Sequence, residues 1–204
     1  MQKFNVELTL DEAMLGTVPK DKDIYTTFIA SKAPTPENGE EEVETVEEIE
    51  DKGWTGFHSI DGKPFIYDYM IKGFFKDACG MLSRVSGKKI KGTERVPKNL
   101  SSKLTAYKKV IDGLIFVKPR KIFIELSGDM GILERPLRVQ TPQGERVCLA
   151  RSDTVPAGSK LKFDVIVLGG VDEDTLREWF DYGALRGLGQ WRNGGYGSFT
   201  YTMK

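Results

Sequence analysis

Five glycines stand among the eleven residues from Gly187 to Gly197, "GLGQWRNGGYG", between a helical pattern and the last alternating run of the sequence. Glycine removes the Cβ where backbone must come close to something, or where φ must be positive. Such a loop constrains how the chain leaves one helix and enters the strand after it. The periodicities around it fall in a definite order. Phe4, Val6, Leu8 and Leu10 alternate with polar residues, which predicts a half-buried first strand. From Phe65, "FIYDYMIKGFFKDACGMLSRV" repeats Ile66, Met70, Phe74, Ala78 and Leu82 at four-residue steps, widened by Ile71, Phe75 and Cys79, the stripe of a core-facing helix. "LTAYKKVIDG" predicts a short helix ending at Gly113. Strand patterns follow at 114–117 and 122–126, then a hairpin in "LRVQTPQGERVCLA" turning at Gln143-Gly144, then "KLKFDVIVLG". "VDEDTLREWFDYGALRGLG" predicts another helix, capped by Asp172 or Asp174, with Leu176, Trp179, Phe180 and Leu185 on its apolar face. "YGSFTYTMK" reads as the final strand.

With the insertions set aside, the order is strand, helix, strand pair, helix, strand. This is the ferredoxin-like (RRM-like) α+β order, which predicts an antiparallel sheet with two helices on one face and the other face open to a ligand or partner. A length of 204 residues suits one such domain over 1–204, carrying a long insertion at 15–65. The longest apolar runs, "LIFV" and "VIVL", are core-strand length and far short of a bilayer span. The first residues lack the apolar centre of a signal peptide, so a cytoplasmic protein with no membrane partner is expected. Cys79 and Cys148 have no companion at metal spacing and the chain has one histidine, so buried thiols are expected, with no metal and no cofactor.

A net charge of zero hides a separation. Residues 37–51, "ENGEEEVETVEEIED", hold nine carboxylates and no cation, leaving 21 acidic against 30 basic side chains elsewhere, a balance of +9. The acidic run predicts a mobile, solvated segment. From Arg84 to Lys121, twelve Lys or Arg stand against Glu94 and Asp112, the clustering a phosphate-binding surface needs.

Gly187-Leu-Gly189, five residues, then Gly195-Tyr-Gly197 resembles the G-h-G-x5-G-h-G signature of the RAMP superfamily of CRISPR-associated RNA-binding proteins, in which h is hydrophobic. "KPFIYDYMIKGFFKDACGML" is similar to the entry into the first helix of type III-like effector backbone subunits, with Lys72-Gly73 at the matching dipeptide. Tyr67-Asp68-Tyr69 stands where those subunits carry small residues, and Lys76-Asp77 where they usually carry an arginine. The resemblance implies a subunit that binds single-stranded CRISPR guide RNA beside other effector subunits or copies of itself. Residue chemistry agrees, since glycines let backbone N–H groups approach phosphate while Arg192 supplies a cation and Trp191 and Tyr196 supply rings for unpaired bases. The residues expected at RNA are therefore Lys72, Lys76, Arg84, Lys88, Lys89, Lys91, Gly187, Gly189, Trp191, Arg192, Gly195, Tyr196 and Gly197.

The resemblance also leaves catalysis open. Processing members of the superfamily cut RNA without metal, and His58 is the one candidate for their acid–base histidine. Some backbone subunits cut target RNA with a loop aspartate, for which Asp21, Asp23 and Asp61 lie in the corresponding region. A third alternative is a mobile-element-encoded mimic that joins and inhibits a CRISPR complex, its acidic run occupying a nucleic-acid groove.

Overall fold

The computed structural model describes residues 1–20, 54–85, 100–141 and 144–204. Strand β1 (Gln2–Leu10) is followed by the short strands β2 (Met14–Leu15) and β3 (Val18–Pro19). Strands β4 (Thr55–Gly56), β5 (His58–Ile60) and β6 (Lys63–Tyr67) lead into helix α1 (Asp68–Val85). Helix α2 (Tyr107–Leu114) precedes β7 (Ile115–Lys118) and β8 (Lys121–Glu125), and β9 (Gly131–Thr141) with β10 (Gly144–Val155) makes a long hairpin. Strand β11 (Lys160–Val167), helix α3 (Glu173–Arg186) and β12 (Phe199–Met203) follow. The fold is α+β.

The larger sheet has seven strands in the order β12–β1–β11–β8–β6–β5, with β7 also paired to β11. Every ladder in it is antiparallel. The predicted alternation of β1 holds: Phe4, Val6, Leu8 and Leu10 are all buried, facing Val165, Phe163, Leu161 and Phe199 across the two ladders. A period of two puts these residues on one face, so a one-residue slip would expose all of them. Helix α1 packs into that core with Ile71, Phe74, Phe75, Ala78 and Cys79, and α3 with Leu176, Trp179 and Phe180. Phe74, Phe75, Phe180 and Phe199 meet with ring centroids 5.4 to 6.1 Å apart, in the tilted and edge geometries aromatic quadrupoles favour. Across β1, β11 and the end of β8 the opposite face of the sheet is polar, with ion pairs Lys3–Asp164 at 2.9 Å, Lys160–Glu7 at 2.7 Å and Lys162–Glu125 at 2.9 Å.

A second sheet runs β2–β10–β4–β3, with β9 on the other side of β10. It fixes both ends of the long insertion. Asp153 accepts from Lys20 Nζ at 2.8 Å and from Trp54 Nε1 at 2.9 Å, while the Lys20 N–H donates to the Trp54 carbonyl at 3.0 Å. The acidic run 37–51 lies outside the described residues.

Two expectations need correction. The helix predicted from Phe65 begins at Asp68, and Phe65-Ile66-Tyr67 belongs to β6. These residues favour strand, and β8 offers them a partner at Phe65↔Phe123 and Ile66↔Ile122, so pairing overrides the helical stripe. Leu185, expected on the apolar face of α3, is 89% exposed. The buried stripe ends at Gly183, where an added Cβ would stand 2.4 Å from the Phe74 ring, and Leu185 lies two residues on, about 200° around the helix. The expected hairpin turns where predicted, with Thr141 paired to Gly144, but its ladder reaches back to Gly131↔Thr154. Cys79 is buried, as expected. Among the described residues no helix is long and apolar enough to cross a membrane.

Asp172 is the cap of α3, accepting from the Thr175 N–H at 2.9 Å and from its hydroxyl. These bonds, the hydroxyl's first, hold its carboxyl below the ordinary range. A carboxyl depressed on folding contributes stability above its unfolded pKa and loses it as pH falls. Asp172→Ala is therefore expected to cost about 1 kcal/mol at neutral pH. The gap to the parent should close in urea melts below about pH 4.

Candidate functional site

The glycine loop begins where α3 ends, with the Gly187 N–H on the Gly183 carbonyl at 2.7 Å. Its two Gly-x-Gly halves then pack on each other. The Leu188 N–H donates to the Gly197 carbonyl at 2.8 Å, and the Gly197 N–H donates to the Ala13 carbonyl at 2.9 Å. A Cβ on Gly197 (φ +74) would stand 2.0 Å from the Leu188 oxygen, and one on Gly189 (φ +83) 2.5 Å from the Leu15 oxygen. These glycines let backbone cross backbone. Between the halves, Arg192–Gly194 makes one 3-10 turn, and Gly195 (φ +88) has open space where a Cβ would be.

The side chains of that turn are ordered against their neighbours. The Trp191 ring stacks on Tyr196 at 5.2 Å and 19°, yet Trp191 remains 43% exposed. Arg135, from β9, lays its guanidinium 4.9 Å from the Trp191 ring centre. Its Nε is buried without a hydrogen-bond partner among the described residues. Gln190 ties the loop to the second sheet, its Oε1 accepting from the Thr55 hydroxyl at 3.3 Å.

A cavity of about 310 Å³ opens between this loop and α1, walled by Leu15, Phe57, Tyr69, Gly73 and Gly189. At its rim Arg192 Nη1 donates to Asp77 Oδ2 at 2.8 Å. Gly73 stands inside a helix, where glycine costs about 1 kcal/mol relative to alanine, and nothing lies within 4 Å of the place its Cβ would take. Its smoothness serves the cavity rather than the core. Lys72, its neighbour, points away: its Nζ donates to the Asp112 carbonyl at 3.1 Å and lies 5.1 Å from the Phe116 ring centre. Lys76 pairs with Asp112 at 2.6 Å, and Arg84 reaches the Met81 sulfur at 3.9 Å. Lys88, Lys89 and Lys91 lie outside the described residues, as do Asp21 and Asp23.

His58 does not line this cavity. It sits on β5, stacked on Phe65 at 5.5 Å and edge-on to Tyr67 at 4.8 Å, and burial pushes its pKa below the ordinary value. Asp61 (φ +49) and Gly62 (φ +75) form the turn between β5 and β6, both positive as the two-residue hairpin turn demands. Thus Asp61 has a local reason to be there.

The sequence missed Arg135, whose guanidinium reaches Trp191 from 56 positions earlier in the chain. No periodicity could have linked them. Asp77 was visible only as a departure from the pattern expected at the first helix.

Solved structures were compared with the fold as a whole. A chain in the cryo-EM structure of the type III-B Cmr-beta bound to cognate target RNA matches 99% of this chain at 15% identity with a TM-score of 0.51. At this identity the likeness is one of fold. This chain spans 59% of that one. A chain of a type IV-B CRISPR complex matches 100% of this chain over 90% of its own length, at 15% identity and a TM-score of 0.49. No protein-family model matches the sequence, and no curated protein does.

Two outcomes follow from this geometry. Gly197→Ala places a Cβ on the Leu188 oxygen at positive φ and is expected to cost about 2 kcal/mol or more. Gly195→Asn, at positive φ but in open space, should stay within about 0.5 kcal/mol of the parent in urea melts. A histidine whose pKa is depressed on folding binds fewer protons folded than unfolded, so stability falls as pH drops below about 6.5. His58→Phe should flatten that part of the stability curve between neutral pH and about pH 5.

Proposed function

We propose that this chain is a RAMP-type, RNA-binding subunit of a CRISPR ribonucleoprotein complex, a backbone or accessory subunit along a single-stranded guide RNA. The observation that carries this reading is the glycine loop itself: its Arg192 lines the cleft beside Gly73, and next to it Trp191 stacks on Tyr196 and against Arg135. Apolar walls and rings suit unpaired bases, and guanidinium groups beside them suit phosphates. The fold supports it too. With β2 to β6, α2 and the hairpin β9–β10 set aside, the chain runs β1, α1, β7–β8, β11, α3, β12, in keeping with a ferredoxin-like path with its glycine-rich loop before the last strand. A fold shared with a chain of the Cmr-beta structure, which is bound to target RNA, is in keeping with this. The partners proposed are other effector subunits or copies of this chain.

The Arg192–Asp77 pair is partly exposed, with side chains 27% and 34% accessible. Pairs of this kind are worth about 0 to 1 kcal/mol, so a phosphate can displace Asp77 at little cost. Arg192→Ala should weaken binding of an oligouridylate about tenfold or more and lower the slope of log K against log salt by about 0.7. Asp77→Asn should strengthen binding, because it leaves Arg192 to the phosphate. Fluorescence anisotropy at two salt concentrations measures both. Equal affinity for the parent and both variants would remove RNA from this cleft.

A further inference from the structure

Away from the cleft, rings cross three strands of the larger sheet in register. His58 pairs with Phe65 and Phe65 with Phe123, while Tyr67 pairs with Lys121 in the next row. Ile66 and Ile122 alternate with these residues and belong to the core, so the rings stand on the face opposite the helices. The rings touch in sequence. Phe123 lies 5.6 Å from Phe65, Phe65 lies 5.5 Å from His58 and 5.2 Å from Tyr67, and Tyr67 stacks on Tyr69 at 5.4 Å and 18°. Phe123 is 44% and Tyr69 57% exposed, while Phe65, which joins Phe123 to the rest, is buried at 3%. Large apolar side chains at a surface, in contact with one another, mark an interaction site more than single exposed residues do.

The cations around this row identify the occupant. Arg120 lies 5.9 Å from the Tyr67 ring centre and Lys121 5.6 Å from that of Phe65. A concavity of about 530 Å³ beside Phe123 is bordered by Lys63, Leu126 and Glu125, whose carboxylate is paired with Lys162. Rings alternating with cations match a strand whose bases stack and whose backbone is anionic. The core of a protein interface, by contrast, is depleted in lysine. Tyr69 belongs to both regions, because it also walls the cavity beside the glycine loop. We propose that His58, Tyr67, Tyr69 and Phe123, with Arg120 and Lys121, form a second stacking platform for unpaired bases of single-stranded RNA, continuing from the cleft at Tyr69. The inference rests on the reading above for the strand being RNA; Tyr69 is shared with the cleft, and Phe123, Arg120 and Lys121 belong to the platform alone.

The test uses the full chain and two probes, an oligouridylate and an abasic phosphodiester of the same length. Tyr69→Ala and Phe123→Ala, both at exposed positions, should each weaken oligouridylate binding about tenfold and leave binding of the abasic probe unchanged. Ultraviolet crosslinking of a 4-thiouridine oligonucleotide should label Tyr67, Tyr69 or Phe123, and Arg120→Ala should weaken both probes. Thermal midpoints equal to the parent's establish that the variants are folded. If Trp191→Ala and Arg192→Ala weaken RNA binding while Tyr69→Ala and Phe123→Ala do not, the platform is overturned and the cleft stands. The reverse pattern, with crosslinks kept on the platform, upholds the platform and moves the RNA away from the glycine loop. A parent chain that binds neither probe overturns both. Loss of association with a protein partner, with RNA binding intact in the platform variants, overturns the platform as a base-stacking surface.

Discussion

The contact on which most of this molecule depends is the crossing of backbone at Gly197 and Leu188, tied by the Leu188 N–H to Gly197 carbonyl bond at 2.8 Å. No side chain fits between these segments. The crossing turns the chain from α3 back into β12, whose Phe199 closes the aromatic core at Phe74. It also reaches the second sheet, since the Gly197 N–H bonds Ala13 just before β2 and Gly189 lies on the Leu15 carbonyl. One loop thus joins both sheets, and its Gly-x-Gly ends are structural in a strict sense: they hold still the turn that bears Trp191, Arg192 and Tyr196. A binding turn mounted on backbone hydrogen bonds keeps its geometry better than one mounted on side chains alone, because the rigid element takes the ordering cost at folding rather than at binding.

The cations near the cleft are engaged rather than idle. Lys76 and Arg192 pair with Asp112 and Asp77, and Lys72 rests on the Asp112 carbonyl. Such partly exposed contacts contribute little to stability, so their value lies in aiming the side chains. The carboxylates beside Lys76 and Arg192 also lower the local field, which discourages indiscriminate attraction of polyanions. Replacing a carboxylate by a phosphate preserves the charge-assisted hydrogen bond and adds oxygens to accept it. The exchange is close to neutral for the protein and favourable for a ligand that satisfies several cations together.

Local physics made much of the fold legible. Alternation in 2–10 and 160–167 gave strands because one face had to be buried, and the four-residue stripe from Met70 to Leu82 gave α1 for the same reason. Asp172 was readable as a cap. What escaped was decided by partners distant in sequence. Phe65-Ile66-Tyr67 fitted the helical stripe, and only pairing with β8 made it a strand. Strands of two residues, such as β2, β3 and β4, are too short for any period to register. The glycine loop was found by spacing, yet the reason for its spacing, two halves in backbone contact, is a three-dimensional fact. The same holds for Arg135 on Trp191.

As the single histidine, His58 drew a catalytic reading, since an imidazole titrates near neutral pH. Its surroundings are aromatic. Between Phe65 and Tyr67 the ring is partly desolvated, and desolvation opposes the charged form, which is why its pKa falls. The ring extends the row that runs from Phe123 to Tyr69. The two tyrosines that complete the row are those of Tyr67-Asp68-Tyr69, the place where small residues were expected at the entry to the first helix. That departure therefore has a physical consequence: the flexibility of a small-residue entry is exchanged for a stacked, cation-flanked surface that abuts the cleft through Tyr69.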